Sequence, residues 1–226
     1  MKIKFGSMKS IVKDNIFSVM EEIEGNPLIN DPKQDKRRSI NAACTNGVSI
    51  EDYNAILSRL QEILKETGRN LKVNSSANSS YELESEEYNS PDWYIEKCIT
   101  NRERGFGKQV GSLNLIRLLY TEPFQKTNLH VDLFVIDKDL TLNPEYYPDN
   151  NFIFGQCCYP AIIISTARFQ GIKNKNLKKK TLEILTAHEI GHSVGLVSRI
   201  DNNSWNSASS MYKKHHCNGE KEACLV

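Results

Sequence analysis

The sequence of 226 residues has neither a long apolar run nor an excess of charge of one sign. Its longest apolar runs, such as AIII at 161–164, are much shorter than the roughly 20 residues that span a bilayer. Twenty-nine lysines and arginines balance 28 aspartates and glutamates, so no overall field attracts nucleic acid or anionic lipid. We therefore expect a monomer that binds neither nucleic acid nor a membrane.

Cysteine is scarce for a disulfide-stabilised protein, with six in the whole chain. Cys157 and Cys158 are adjacent, which is a poor geometry for pairing with each other. Charged residues interrupt every apolar segment of residues 1–17, so no secretory signal is expected there. These features favour a reducing, cytoplasmic location, although export by a route without a cleaved signal stays open.

Residues 1–47 differ in composition from the rest of the chain. Apolar residues recur there at helical spacing and predict a short amphipathic helix: Val12, Ile16, Val19, Met20 and Ile23. The stretch GNPLINDPKQDKRRS that follows is polar and broken by proline, which is typical of a linker. The sequence therefore predicts an N-terminal helix and linker over 1–47, which packs on the main domain or binds a partner, and one domain over 48–226.

Three helices are predicted in the main domain. Ser49 and Asp52 have capping-box spacing before a helix with one apolar face, and Gly68 stands where that helix should end. A second helix is predicted over 110–120, and a third from Asn176 to about Gly195. The helices should be separated by strands at NLKVNSS, at the alternating segment NLHVDLFVI, and at NFIFG and AIIIST on either side of a turn through QCCYP. This order predicts an α/β sandwich.

The third predicted helix carries the segment LTAHEIGHSVGLVSRID, residues 185–201. His188 and His192 lie four residues apart, so a helix presents both imidazoles on one face, where they can bind one zinc ion. Glu189 lies beside them and can take a proton from a metal-bound water that attacks a peptide carbonyl. The pattern H-E-x-x-H therefore predicts His188 and His192 as ligands of Zn²⁺ and Glu189 as the general base.

The chain resembles the archaemetzincins, a family of zinc peptidases, in three segments. LTAHEIGHSVGL is similar to the family's catalytic helix, NFIFGQCCYPAIIISTARF to the strands before it, and NRERGFGKQVGSLNLIRLLY to an arginine- and glycine-bearing loop. The resemblance implies an α/β metzincin-like sandwich with a twisted mixed sheet and a long catalytic helix. It also implies an antiparallel edge strand that binds extended peptide, and a Met-turn at Met211.

The chain departs from the family pattern at the third zinc ligand. Ser198 stands where the family has the last histidine of H-E-x-x-H-x-x-G-x-x-H. Asp201 is the first candidate to replace that ligand, because zinc accepts carboxylate oxygen, and His215 or His216 is the second. The alternative, in which Asp201 is a loop residue of RIDNNSWN, stays open.

The family's cysteine pair for a structural zinc is also altered. This chain has Cys217 and Cys224, separated by six residues, which either join His215 and His216 in a different metal cluster or belong to a simple cysteine-containing tail. We expect a zinc-dependent metallopeptidase that hydrolyses a peptide or protein substrate. The alternative is a catalytically impaired domain of the same fold that binds peptides or a partner protein.

Overall fold

The computed structural model describes residues 36–77, 90–121, 128–142 and 151–194. Apart from Lys36, these residues belong to a unit that spans 37–226. The predicted N-terminal helix lies outside the described residues, as do Gly195 and every candidate beyond it: Ser198, Asp201, Met211, His215, His216, Cys217 and Cys224. No described helix is long and apolar enough to cross a membrane.

The structure describes four α-helices, three of which begin at side-chain caps that the sequence provides. They are α1 (Ile50–Glu66), α2 (Pro91–Cys98), α3 (Ser112–Thr121) and α4 (Lys175–Ser193). The Oγ of Ser49 accepts a hydrogen bond from the backbone N–H of Asp52 at 3.1 Å, and Gly68 has a φ of +65° just past the end of α1. Both ends of this helix are therefore confirmed as predicted.

The strands of the described residues form two sheets. They are β1 (Ser39–Cys44), β2 (Lys72–Ala77), β3 (Ile99–Glu103), β4 (Lys108–Gly111), β5 (Val131–Ile136), β6 (Leu140–Thr141), β7 (Gly155–Cys158) and β8 (Ala161–Ser165). The main sheet has the order β2-β1-β5-β8-β7, and the second sheet has the order β3-β4-β6. The mixed α/β architecture agrees with the predicted fold class.

The main sheet is parallel except at one edge. β2, β1, β5 and β8 run in the same direction, whereas β7 pairs antiparallel with β8 in a register that places Gly155 opposite Ile164. All side chains of β5 and β8 are buried, as expected for central strands that are covered on both faces. β7 therefore forms the antiparallel edge of the sheet.

A hydrogen bond and a ring contact attach helices to this sheet. The Tyr53 hydroxyl of α1 donates to the Ala42 carbonyl of β1 at 2.8 Å. The rings of Tyr94 in α2 and Phe134 in β5 have centroids 5.7 Å apart. Helix α1 packs on α4 and α2 packs on α3, so the sheet carries two helix pairs.

Helix α4 is attached to α1 near both of its ends. At the start, the Lys178 ammonium lies 2.6 Å from the Asp52 carboxylate. At the other end, a guanidinium nitrogen of Arg69 donates to the Val194 carbonyl at 3.2 Å, which places a cation at the negative end of the helix dipole. The helix that carries the H-E-x-x-H residues is therefore held in position by two charged contacts.

Several elements differ from the sequence prediction. β1 lies within residues 1–47, where no strand was expected, and it pairs with both β2 and β5. The predicted turn through QCCYP is wrong in part, because Gln156 to Cys158 belong to β7. The second predicted helix begins at Ser112 rather than Val110, because residues 108–111 form β4. Helix α2 and the β3–β4 hairpin were not predicted.

Candidate active site

The two histidines of the H-E-x-x-H segment converge in the C-terminal half of α4. Their Nε2 atoms lie 3.2 Å apart, and their rings meet edge to face with centroids 4.7 Å apart. Both side chains are partly exposed. The predicted pair is thus brought together by a single helical turn, and it remains open to solvent or to a ligand.

The separation of the two nitrogens fits a shared zinc ion. Two histidine nitrogens bound to one tetrahedral zinc at about 2.0–2.1 Å lie about 3.3 Å from each other. The observed 3.2 Å is close to this value. A direct hydrogen bond, in which one Nε2–H donates to the other Nε2, has a similar length, so the distance alone permits both arrangements.

A third protein ligand is not found in the described part of the chain. Within residues 36–77, 90–121, 128–142 and 151–194, no group of three histidine, cysteine, aspartate or glutamate side chains could hold a metal ion. Ser198 and the candidate ligand Asp201 lie outside these ranges. A zinc ion at His188 and His192 would therefore complete its coordination with water or with a residue outside these ranges.

Glu189 is buried at the edge of the main sheet. Its residue is 5% exposed, and burial raises the pKa of its carboxyl to about 8, against the opposite effect of a hydrogen bond from the Cys157 backbone N–H. Burial disfavours the charged form, whereas the N–H donor favours it. A carboxyl with a pKa in this range is suited to exchange protons near neutral pH.

The ladder between β7 and β8 shows which side of β7 this carboxyl contacts. The Ser165 N–H donates to the Phe154 carbonyl at 2.8 Å, so this pair is of the hydrogen-bonded type. In an antiparallel ladder such pairs alternate with pairs whose backbone groups point outward. Gly155 and Cys157 therefore direct their N–H and C=O groups away from β8, which agrees with the hydrogen bond from Cys157 to Glu189.

Gly155 and the Cys157 backbone are site components that the sequence reasoning did not single out. A β-carbon at Gly155 would lie 2.8 Å from both Cγ and Oε1 of Glu189. The signal was present in the sequence, because a glycine inside a strand often marks a close approach of another group. The segment NFIFGQCC contains such a glycine, and its contact with α4 could have been suspected.

An aromatic and ionic cluster lies just before β7. The ring centroids of Phe152 and Phe154 lie 5.2 Å apart, and those of Phe154 and Phe169 lie 5.1 Å apart. The Arg168 guanidinium lies 3.4 Å from the centre of the Phe152 ring and binds Asp139 through two hydrogen bonds. This packing fixes the chain where it enters the edge strand.

Comparison with known proteins supports the fold and leaves the family open. No protein-family model matches the sequence, and no curated protein matches it either. Among solved structures, the chain is similar to an archaemetzincin from Methanopyrus kandleri, with a TM-score of 0.50 and 19% sequence identity over 75% of this chain and 80% of that chain. At this identity the likeness concerns the architecture alone, and the chain has a fold similar to that of this archaemetzincin.

Proposed function

We propose that this protein is a zinc-dependent metallopeptidase that hydrolyses peptide bonds of a peptide or protein substrate. One observation carries the proposal: the Nε2 atoms of His188 and His192 lie 3.2 Å apart, and the buried Glu189 directly follows His188 in the sequence. The fold similarity to an archaemetzincin supports the same conclusion, since that protein is by name a metzincin.

The residues of this chain divide the chemistry between them. When bound, zinc supplies Lewis acidity and lowers the pKa of a coordinated water. His188 and His192 would hold the ion as neutral imidazoles. Glu189 would accept the proton of the attacking water and return it to the amine of the leaving product.

The edge strand β7 offers a place for the substrate backbone. Gly155 and Cys157 point their backbone groups outward, and within the described residues no strand pairs on that side of β7. An extended peptide can add to such an edge through main-chain hydrogen bonds. The bound peptide would then run along the edge at which the Glu189 carboxyl also lies.

A second candidate function is a peptide- or protein-binding module without turnover. Ser198 stands in place of the family's third histidine, and a neutral hydroxyl is a weak ligand for zinc. Metal content separates the two functions. About one zinc per chain after dialysis supports the peptidase, and a folded protein that retains no zinc supports the binding module.

The peptidase proposal is tested by separating the ligands from the base. We expect His188→Ala and His192→Ala to reduce bound zinc to below about a tenth of an equivalent, because one imidazole holds the ion poorly. Glu189→Gln should keep zinc and lower hydrolysis of a peptide library about 10²–10⁴-fold. Glu183→Gln makes the same chemical change on the same helix and serves as the control. Wild-type hydrolysis rates in Glu189→Gln would exclude the mechanism.

The third ligand is tested by two further substitutions. If Asp201 binds the ion, Asp201→Ala should weaken zinc binding at least about tenfold, and Ser198→His should strengthen it. Competition with a chromogenic chelator measures both affinities. Unchanged affinity in Asp201→Ala, together with tighter binding in Ser198→His, would show that Asp201 is a loop residue and that wild-type coordination uses two histidines and water or another group.

A further inference from the structure

Gly155 lies so close to the Glu189 side chain that a larger residue does not fit. A β-carbon at Gly155 would lie 2.8 Å from Cγ and from Oε1 of Glu189, and 2.9 Å from the Ile163 carbonyl oxygen. Real β-carbons essentially never approach other atoms to less than 3.0 Å. A side chain at position 155 would therefore displace Glu189 or shift β7 away from β8.

The backbone of the same strand holds the carboxyl group from a second direction. Cys157 donates its N–H to Glu189, and the register with Ile162 makes this N–H one of the outward groups of β7. The donor is therefore not needed by the sheet ladder. Gly155 and Cys157 lie two residues apart on one strand. The Glu189 side chain occupies the space that a β-carbon at Gly155 would need, and it accepts the hydrogen bond from the Cys157 N–H.

We propose that Gly155 and the Cys157 N–H form a seat that positions the Glu189 carboxyl at the outer edge of β7. In this carboxylate seat, Gly155 supplies the space for the side chain and Cys157 supplies a directed hydrogen bond. Gly155 is a positioning residue, since it acts through Glu189. The catalytic consequence rests on the proposed function, whereas the physical contact does not.

The seat explains why the base and a substrate would share one edge. A peptide that pairs with β7 would have its backbone along the outward groups of Gly155 and the outward carbonyl of Cys157, since the Cys157 N–H donates to Glu189. A carboxyl group anchored to the same strand would keep a fixed distance from that backbone. A base held by a mobile loop would lose this alignment, and small misplacements of catalytic groups reduce rates strongly.

Two pairs of matched variants test the seat through catalysis. Gly155→Ala introduces the clash, and Gly171→Ala is the control because no atom lies within 4 Å of its added β-carbon. Cys157→Pro removes the N–H donor, and an outward N–H on an edge strand is a position where proline is tolerated. Its control, Cys157→Ala, removes the thiol and keeps the N–H.

In the zinc-loaded full chain, Gly155→Ala and Cys157→Pro should each lower kcat at least about tenfold. Zinc content should stay unchanged in both variants, KM should stay unchanged in Gly155→Ala, and Gly171→Ala should match the wild type. Cys157→Ala should keep a higher kcat than Cys157→Pro, because it keeps the N–H donor. A merely structural role would not separate kcat from KM and zinc binding in this way. Wild-type kcat in Gly155→Ala, or equal kcat in Cys157→Pro and Cys157→Ala, would overturn the seat.

A thermal-unfolding cycle tests the same contact without any activity. Gly155→Ala should lower Tm by about 2–12 °C, as overpacking usually does, and by clearly less in a Glu189→Ala background, where Cγ and Oε1 are gone. Equal losses in both backgrounds would overturn the seat. A different outcome is that the wild type hydrolyses no peptide while Gly155→Ala still lowers Tm more in the wild-type background than in the Glu189→Ala background. In that case the proposed function fails and the seat stands.

Discussion

Two carboxyl groups are buried to a similar degree in this protein but are held in opposite ways. Asp139 is 1% exposed and accepts hydrogen bonds from Nε and Nη2 of Arg168 at 2.8 and 2.7 Å. Glu189 is 5% exposed, and the influences on its pKa are burial and the Cys157 N–H, with no cation among the described residues. Among the described residues, one buried acid is compensated by a cation and the other is not.

The difference is the one expected between a structural acid and a functional one. A buried charge is tolerated when a cation and hydrogen bonds surround it, as for Asp139. A buried acid without a cation raises its pKa and costs stability, and such groups concentrate at functional sites. The contrast between Asp139 and Glu189 therefore supports the assignment of Glu189 to chemistry, and three substitutions can break or sharpen it.

The largest effect is expected when Asp139 loses its cation. Arg168→Met should reduce the free energy of unfolding by about 3–5 kcal/mol, because an uncompensated charge remains buried. Urea unfolding measures the change. Arg59→Met is the control, because Arg59 forms exposed ion pairs with Glu62 and Glu66 that should contribute less than about 1 kcal/mol. If both variants lost a similar amount of unfolding free energy, the Arg168–Asp139 pair would be no more important for stability than an exposed ion pair.

A smaller effect of opposite sign is expected at Glu189. In metal-free protein, Glu189→Gln should leave the free energy of unfolding unchanged or raise it by about 1–2 kcal/mol near pH 8, because the buried charge disappears while an amide oxygen can still accept from Cys157. Asp139→Asn provides the comparison and should destabilise, because Arg168 loses its counterion. If Glu189→Gln destabilised as much as Asp139→Asn, Glu189 would be a structural acid as well.

The smallest effect is expected at Asp137, a third carboxyl of intermediate exposure. Burial alone would raise the pKa of Asp137, but the hydrogen bonds from Thr45 and Lys138, together with the positive charge of Lys138, outweigh burial and lower it. A lowered pKa in the folded state contributes stability above the unfolded-state pKa, and this contribution is lost as the pH falls through the folded-state pKa. The free energy of unfolding of the wild type should therefore be about 1 kcal/mol higher than that of Asp137→Asn near pH 7.

The pH dependence is the check on this last prediction. Urea unfolding of wild type and Asp137→Asn between pH 7 and pH 2.5 should show the difference narrowing below about pH 4, where the carboxyl takes up a proton in the unfolded state. A constant difference over this range would mean that the hydrogen bonds of Asp137 do not depend on its charge.

The sequence predicted elements whose signals are local. The helix that carries His188 and His192 was predicted from Asn176 to about Gly195 and is observed at Lys175–Ser193. Its histidines converge because four residues make about one turn. The cap at Ser49 was equally clear, since the hydrogen bond it makes spans three residues. The signal for α2 was also local, a serine cap followed by proline, but no helix was predicted from it.

Elements that depend on distant partners were predicted less well. β1 has the sequence SINAAC, whose small side chains give no strong strand pattern, and it is a strand because β2 and β5 pair with it. Val110 looked helical beside the apolar residues of α3, but it pairs with Leu140 in β6. The contact of Gly155 with Glu189 joins residues 34 positions apart, so the glycine within the strand indicates a close approach but does not specify its partner.

The two contacts that attach α4 to α1 have a consequence for native-state dynamics. The contact of Lys178 with Asp52 and that of Arg69 with the Val194 carbonyl bind the helices near both of their ends. Helix α4 cannot then unwind from its C-terminus without also releasing Arg69. We therefore expect the slowly exchanging amides of α1 and α4 to open as one cooperative unit in hydrogen exchange, with similar opening free energies.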